Sequence, residues 1–138
     1  MTVIATTAAQ AGRVMPREAD VVISVKLAES VEALEAAYQT TSGTFGIADA
    51  NAAGKQQFRG VYLKSGGAGQ VVPLLVRGPV YGYTVSSLNG DAVLYLSDTA
   101  GDLDDSAGTL TVVAGRVFAL PDGTKVAWID ANWAYIWA

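Results

Sequence analysis

Four aspartates in one short window are the residues of this sequence best suited to chemistry. The stretch AVLYLSDTAGDLDDSAGTL, from Ala92 to Leu110, contains Asp98, Asp102, Asp104 and Asp105. Carboxylates from a single flexible loop are ligands that Ca²⁺ prefers, and paired carboxylates can act as general acid and base. The window therefore raises three hypotheses: a metal site, a catalytic cluster, or a polar loop between two strands.

The spacing of these aspartates does not match a calcium loop of the EF-hand type. Counted from Asp102, Ala107 stands where the loop needs glycine and Val113 where it needs a bidentate glutamate. Counted from Asp98, the third ligand position is Ala100. Asp, Ser and Gly are also the residues of tight turns. We therefore interpret the window as two solvated turns between strands, with the four aspartates as the alternative metal ligands.

Two predictions follow from the turn interpretation. Replacing Asp102 and Asp104 together with alanine should leave folding nearly intact, because solvated turn side chains contribute little to stability. Calcium should not shift the melting temperature, because no complete set of oxygen ligands is predicted.

The sequence contains neither histidine nor cysteine. Ser-His-Asp and Cys-His catalysis, zinc sites built from His or Cys, and disulfides are therefore excluded. An enzyme would have to rely on carboxylates, lysine or tyrosine alone. We expect a protein that is not an enzyme and that carries no cofactor.

The charge pattern argues against two classes of partner. The net charge is -4, and the nine Lys and Arg residues are scattered singly, so no basic face is predicted for nucleic acid. No run of about 18 apolar residues and no signal-peptide pattern is present, so we expect no membrane partner and synthesis in the cytoplasm.

The elements that must position these residues are short strands. The 138 residues predict an extended N-terminal arm over residues 1–20 and a single β-rich domain over residues 21–138. Short apolar runs separated by Gly, Asn, Asp and Pro are typical of an antiparallel β-barrel or sandwich, with at most short helical turns. Leu120 to Thr124 is predicted to be a hairpin turn. The predicted strand runs are ADVVISVKLA, GVYL, QVVPLLV, PVYGYTV, AVLYL, TLTVV, GRVFAL and KVAWID.

The segment ESVEALEAAYQ leaves helix and strand open. Its Ala, Leu and Glu content favours a helix. However, residues 36–63 form a faint repeat of residues 93–120, in which EAAYQ corresponds to the strand run AVLYL. The corresponding pairs are Tyr38 and Tyr95, Gly43 and Gly101, Phe45 and Leu103, Gly54 and Gly108, and Gly60 and Gly115.

Both ends of the chain carry candidate contact residues. The C-terminal WIDANWAYIWA contains Trp133, Tyr135 and Trp137, which are predicted to lie either in the chain's own core or in a subunit contact. An extended arm can add to the edge of a neighbouring sheet. Its candidate anchors are Val3, Ile4, Val14 and Met15.

The run from Gly69 to Trp133 resembles the capsid decoration, or cement, proteins of tailed bacteriophages. The similarity is carried by RGPV, AVLYLSDTAG, VVAGRVFAL and the terminal W-I-D-x-x-W, and upstream by YQTTSGTFGIADANAAGKQQFRGVYL. It covers about Leu27 to Trp133. The segments ESVEALEAA and AYIWA depart from the family pattern.

This resemblance implies a compact, β-tulip-like body with an N-terminal arm. It also implies a homotrimer that binds the major capsid protein at three-fold and quasi-three-fold positions, on the outer surface of the virion. The function expected is stabilisation of the mature shell. The alternatives are another virion or tail component, and a carbohydrate- or ligand-binding β-sandwich whose Trp and Tyr side chains stack on a sugar.

Overall fold

The computed structural model of the chain describes residues 3–13 and 20–137. Within these ranges the secondary structure consists of β-strands and one 3₁₀ turn at Ala8–Gln10, with no α-helix. The prediction of a mainly antiparallel β fold is confirmed. The strands are β1 Gly12–Arg13, β2 Val21–Lys26, β3 Ala36–Gln39, β4 Phe45–Ile47, β5 Gly60–Tyr62, β6 Val71–Tyr81, β7 Val93–Leu96, β8 Leu103–Asp104, β9 Val113–Ala119 and β10 Lys125–Asp130.

All ten strands belong to one curled antiparallel sheet. Its order is β4-β3-β5-β6-β10-β9-β7-β8, and β1 and β2 also pair with β6. The curl brings the two ends of the sheet together: the Gly101 amide donates to the Ala48 carbonyl, and the Ala36 amide donates to the Gly101 carbonyl, both at 2.8 Å. The sheet therefore wraps around its own apolar core.

The internal repeat predicted from the sequence is confirmed by the strand pairing. The units β3-β4-β5-β6 and β7-β8-β9-β10 have the same internal order and meet through β6 and β10. Their registers also correspond. The matching Cα partners are Ala37–Gly60 with Leu94–Gly115, and Tyr38–Gly46 with Tyr95–Asp104.

Residues 30–38 form a turn followed by a strand. Leu34 has a φ of 74°, which no helix accommodates, and its amide donates to the Tyr62 carbonyl at 2.7 Å. β3 then starts at Ala36 and pairs with β4 and β5. The helix favoured by propensity is wrong and the strand alternative is correct, because pairing on both sides outweighs a weak local preference.

The predicted run QVVPLLV, from Val71 onward, and the first three residues of PVYGYTV are parts of one continuous strand, β6. Pro73 and Pro79 therefore lie inside a strand that pairs with several neighbours. A register shift between Val21 and Val22 on β2, and a φ of 139° at Gly78, mark an irregular stretch between the two prolines. The Leu120–Thr124 hairpin is confirmed: the Leu120 amide donates to the Thr124 carbonyl at 2.7 Å, and Gly123 has a φ of 90°.

Two buried tyrosines tie the core to the backbone. The Tyr62 hydroxyl donates to the Gly46 carbonyl and the Tyr83 hydroxyl donates to the Leu34 carbonyl, each at 2.6 Å. Burial raises the pKa of both hydroxyls, so they remain neutral donors. Among the largest fully buried side chains around them are Phe58, Leu27, Leu74, Leu75, Leu94, Leu96, Leu103 and Ile129.

Candidate docking surface

The N-terminal residues 3–13 lie against the chain's own sheet. The Ile4 amide donates to the Leu103 carbonyl at 2.8 Å, and the Thr7 amide donates to the Gly82 carbonyl at 2.7 Å. β1 then pairs with the end of β6. The hydrogen bonds that an extended arm could offer to a neighbour are therefore made within this chain.

The four predicted arm anchors have different environments. Ile4 is only 4% exposed and packs in the chain's own core, so its side chain is not presented to a partner. Val3 is 40% exposed. Val14 and Met15 lie outside the described residues.

The environment of Asp104 differs from the one predicted for the aspartate window. Its side chain is fully buried and accepts hydrogen bonds from the Ser97 hydroxyl and the Ser106 amide, both at 3.3 Å. Asp98 is partly buried and accepts from the Thr109 amide at 2.7 Å and the Thr109 hydroxyl at 2.9 Å. The turn chemistry is present, but the prediction that the aspartates are solvated is wrong for Asp104, which the curled sheet covers; Thr99, Ala100 and Thr109 in the same turns are exposed.

The aspartates do not converge on one point. Across residues 3–13 and 20–137, no group of three acidic side chains is placed to hold a metal ion. Asp98 and Asp104 instead receive hydrogen bonds from neighbouring turns. Asp102 and Asp105 are half-buried.

Asp102 shares a charged neighbourhood with Glu35, which the sequence did not predict. Burial raises the pKa of both carboxyls, and the negative charges of Glu32, Asp102 and Glu29 raise the pKa of Glu35 further. They approach because Ala36 hydrogen-bonds Gly101 where the two ends of the sheet meet. Only this long-range contact could have revealed the pair.

The C-terminal segment, residues 131–137, is fixed to the body by hydrogen bonds. The Gln57 side-chain oxygen accepts a hydrogen bond from the Trp137 backbone amide at 3.0 Å. The Gln57 side-chain nitrogen donates one to the Trp137 carbonyl at 2.8 Å. The Trp133 indole donates to the Arg59 carbonyl at 3.0 Å, and Arg59 donates to the Asn132 carbonyl at 3.2 Å. The segment therefore has a defined conformation although it follows the last strand.

This ordered segment exposes large apolar side chains. Trp133 is 39% exposed, Tyr135 52% and Ile136 81%, and we call these three residues the C-terminal face. Trp137 is half-buried against the core, and its ring lies 4.4 Å from that of Tyr135. Of the three predicted aromatic residues, Trp137 is partly buried and packs against the core with one side, whereas Trp133 and Tyr135 are exposed. Ile136, the most exposed residue of the C-terminal face, was not predicted as a contact residue.

An apolar hollow of about 330 Å³ lies beside Trp133. Most of its lining is apolar and one residue is charged: Val21, Ile23, Val76, Ala131, Trp133 and Arg77. Val21 is itself 39% exposed. Exposed apolar side chains next to a preformed hollow are typical of surfaces that dock another protein.

The structure is thus a small all-β domain that exposes several apolar side chains of its C-terminal segment. Comparisons of the chain with known protein families, with curated proteins and with solved structures find no match. No helix within the described ranges is long and apolar enough to cross a membrane.

Proposed function

We propose that this protein is a structural component of a phage virion that binds the outer surface of the mature capsid and stabilises the shell. We further propose that it binds as a trimer at three-fold and quasi-three-fold positions. The observation that carries the proposal is the C-terminal face, an ordered set of exposed apolar side chains next to an apolar hollow. The resemblance of RGPV, AVLYLSDTAG, VVAGRVFAL and W-I-D-x-x-W to decoration proteins also supports it, and these motifs lie in or next to β6, β7, β9 and β10.

The C-terminal face is the part of the molecule best suited to this docking. Gln57 fixes the backbone at Trp137, and the Arg59 carbonyl accepts a hydrogen bond from the Trp133 indole, so part of the segment's conformational entropy is already lost before a partner covers it. Burial of apolar surface contributes about 25 cal/mol per Å² before the costs of association are subtracted. Ile4, which the sequence predicted as a docking anchor, is not part of the proposed docking surface, because its side chain is buried within its own chain.

Binding of this kind stabilises a shell by mass action. A protein that binds only the mature lattice lowers its free energy by about 2.7 kcal/mol per site at a hundredfold excess over Kd. Repeated over many sites, this term opposes disruption of the shell by heat or by the pressure of the packaged genome.

Add-back to undecorated mature capsids tests the proposal. The purified protein should sediment as a trimer, bind the capsids saturably and raise their disruption temperature. A variant with Trp133, Tyr135 and Ile136 all changed to serine should keep its fold, as judged by circular dichroism, but lose binding. Val71→Ser is the matched control, because Val71 is 66% exposed yet belongs to the start of β6.

Two results would overturn the proposal at different levels. If the wild-type protein neither binds capsids nor raises their disruption temperature, the proposed function is wrong. If the folded triple variant binds as tightly as the wild type, the C-terminal face is not the docking surface.

A further inference from the structure

A groove of about 480 Å³ lies between the C-terminal segment and the strands β6, β9 and β10. This volume is within the range of about 300–1,000 Å³ typical of small-molecule sites. The groove is separate from the C-terminal face, since Trp133, Tyr135 and Ile136 do not line it. The lining residues that matter here are Arg77, Arg116, Trp128, Asp130, Asn132 and Trp137.

Two indole rings in fixed positions line the groove. Trp128 is half-buried on β10 and packs edge-on against Phe118, with ring centroids 5.6 Å apart and an angle of 75°. Trp137 is held through its backbone by Gln57 and packs against Tyr135. Rigid aromatic rings supply a large contact area at a small cost in entropy, and the C–H face of a pyranose ring packs on such a surface.

Planar polar groups lie beside these rings. The Arg77 Nε lies 3.1 Å from Asp130 Oδ1, which leaves the other guanidinium N–H groups and carboxylate lone pairs able to bind a ligand. Both side chains are about half exposed. The Asn132 side-chain oxygen accepts from the Ala134 amide at 3.2 Å, which orients its amide group. Adjacent planar donors and acceptors match neighbouring sugar hydroxyls, each of which can both donate and accept.

The charges around the groove favour a neutral ligand. Arg77 is paired with Asp130, and Arg116 Nη1 lies 3.7 Å from Asp91 Oδ2 and donates to the Asp91 carbonyl at 2.9 Å. The two cations are thus balanced by two acidic neighbours, so this part of the surface has no excess positive charge to attract a phosphate or sulfate. The chain as a whole carries a net charge of -4.

Trp137, which lines the groove, carries an unsatisfied hydrogen-bond donor. Its indole Nε1 is buried and has no hydrogen-bond partner among the described residues. Buried indole N–H groups usually have an acceptor, and such exceptions require an explanation. Because Trp137 lines the groove, this unsatisfied donor belongs to a residue that a ligand bound there would contact.

From the two indoles, the Arg77–Asp130 pair and the oriented Asn132, we infer that this groove is a binding site for a neutral carbohydrate. One sugar ring packs on the indoles, and its hydroxyls bond to the planar polar groups. The inference does not rest on capsid binding, because no residue of the C-terminal face lines this groove, although Arg77 lines both the groove and the hollow beside Trp133.

A glycan array followed by isothermal titration calorimetry tests this inference. The wild-type protein should bind at least one neutral oligosaccharide of the array saturably. Trp137→Ala and Asp130→Ala should each weaken binding of that oligosaccharide about tenfold or more, equivalent to about 1.4 kcal/mol. Tyr81→Ala is the matched control, because Tyr81 is a 39% exposed aromatic residue that does not line the groove, and its binding should be unchanged.

Three outcomes would overturn the inference. It fails if no neutral glycan binds, if both groove variants bind as the wild type does, or if only sulfated or phosphorylated glycans bind in a salt-sensitive manner. Asp130→Ala changes a half-exposed side chain, so it remains informative if Trp137→Ala does not fold. Because Asp130→Ala leaves the C-terminal face intact, it should still bind capsids, which separates this result from that of the proposed function.

Discussion

Arg77 and Asp130 are Cα partners across β6 and β10, and they occupy equivalent positions in the two repeated units. Two residues before them, the carbonyls of Leu75 and Trp128 each approach a glycine of the adjacent strand. Equivalent residues that pair with each other in antiparallel strands define a two-fold relationship. An approximate two-fold axis therefore passes through this ion pair, and the fold is two similar four-strand units joined at their fourth strands.

Gly60 and Gly115, which these two carbonyls approach, should not tolerate a larger residue. A Cβ on Gly60 would lie 2.5 Å from the Leu75 carbonyl oxygen, and a Cβ on Gly115 would collide with the Trp128 carbonyl. We expect Gly60→Ala and Gly115→Ala each to lower the free energy of unfolding by at least about 2 kcal/mol in urea titrations. Gly90→Ala, which meets no atom within 4 Å, should remain within about 1 kcal/mol of wild type. Equal stability of all three variants would contradict this account.

Asp104 should contribute to stability. Asp104→Ala leaves the buried Ser97 hydroxyl without its acceptor, so we expect a loss of about 1–3 kcal/mol in thermal or chemical unfolding. Asp104→Asn, which keeps an acceptor oxygen, should lose less. Asp102→Ala is the control at a half-buried neighbour and should cost less than Asp104→Ala. The expected destabilisation by Asp104→Ala replaces the sequence-based expectation that changing Asp102 and Asp104 together leaves folding nearly intact.

The packing of Ile4 predicts that the N-terminal segment contributes to stability in the isolated protein. Ile4→Ala should lower the free energy of unfolding by about 2 kcal/mol, because it leaves a cavity under the segment. Val3→Ala, at a 40% exposed side chain, should change stability by less than about 0.5 kcal/mol. If Ile4→Ala left the free energy of unfolding unchanged, the N-terminal segment would not pack in this way in solution.

Glu35 should make stability depend on pH. Burial raises its pKa in the folded state above the value in the unfolded chain, so its contribution is fully present below the unfolded-state pKa. This stability is lost as the pH rises through the raised pKa, and Asp102 acts in the same direction. We expect the melting temperature of Glu35→Gln to fall less than that of the wild type between about pH 4 and pH 8.

Asp122 provides a control of opposite sign for this pH experiment. Hydrogen bonds from Thr124 lower the pKa of Asp122, so its contribution is present at higher pH and lost as the pH falls through the folded-state pKa. Asp122→Asn should therefore reduce the loss of stability in acid. If Glu35→Gln and the wild type respond identically to rising pH, the burial of Glu35 has no energetic effect.

Gln57 should control the order of the C-terminal segment. Gln57→Ala removes two hydrogen bonds to Trp137, so amide hydrogen exchange at residue 137 should become faster, with a loss of about 1–2 kcal/mol in global stability at most. Gln39→Ala, at an exposed strand position, is the matched control and should leave this exchange unchanged. Unaltered exchange in Gln57→Ala would show that other contacts hold the segment.

The strands and turns of this protein were predictable because their signals are local. Short β-branched runs between Gly, Asn and Asp identified most of the strands, and the Leu120–Thr124 turn was recognised from residues that lie within it. The repeat was also visible, because equivalent glycines recur at corresponding places in both units. It predicted strand β3 where helix propensity alone failed.

The environments of individual side chains were not predictable, because they depend on residues distant in the sequence. Asp104 is buried because the curled sheet and the N-terminal segment cover it, and Glu35 meets Asp102 only where the two ends of the sheet join. Trp137 faces the groove because Gln57, far away in the chain, binds its backbone. The sequence by itself determined the strands, the turns and the absence of histidine and cysteine chemistry. The tertiary structure alone decided which acidic and aromatic side chains are covered and which are presented, because burial arises from contacts between distant segments.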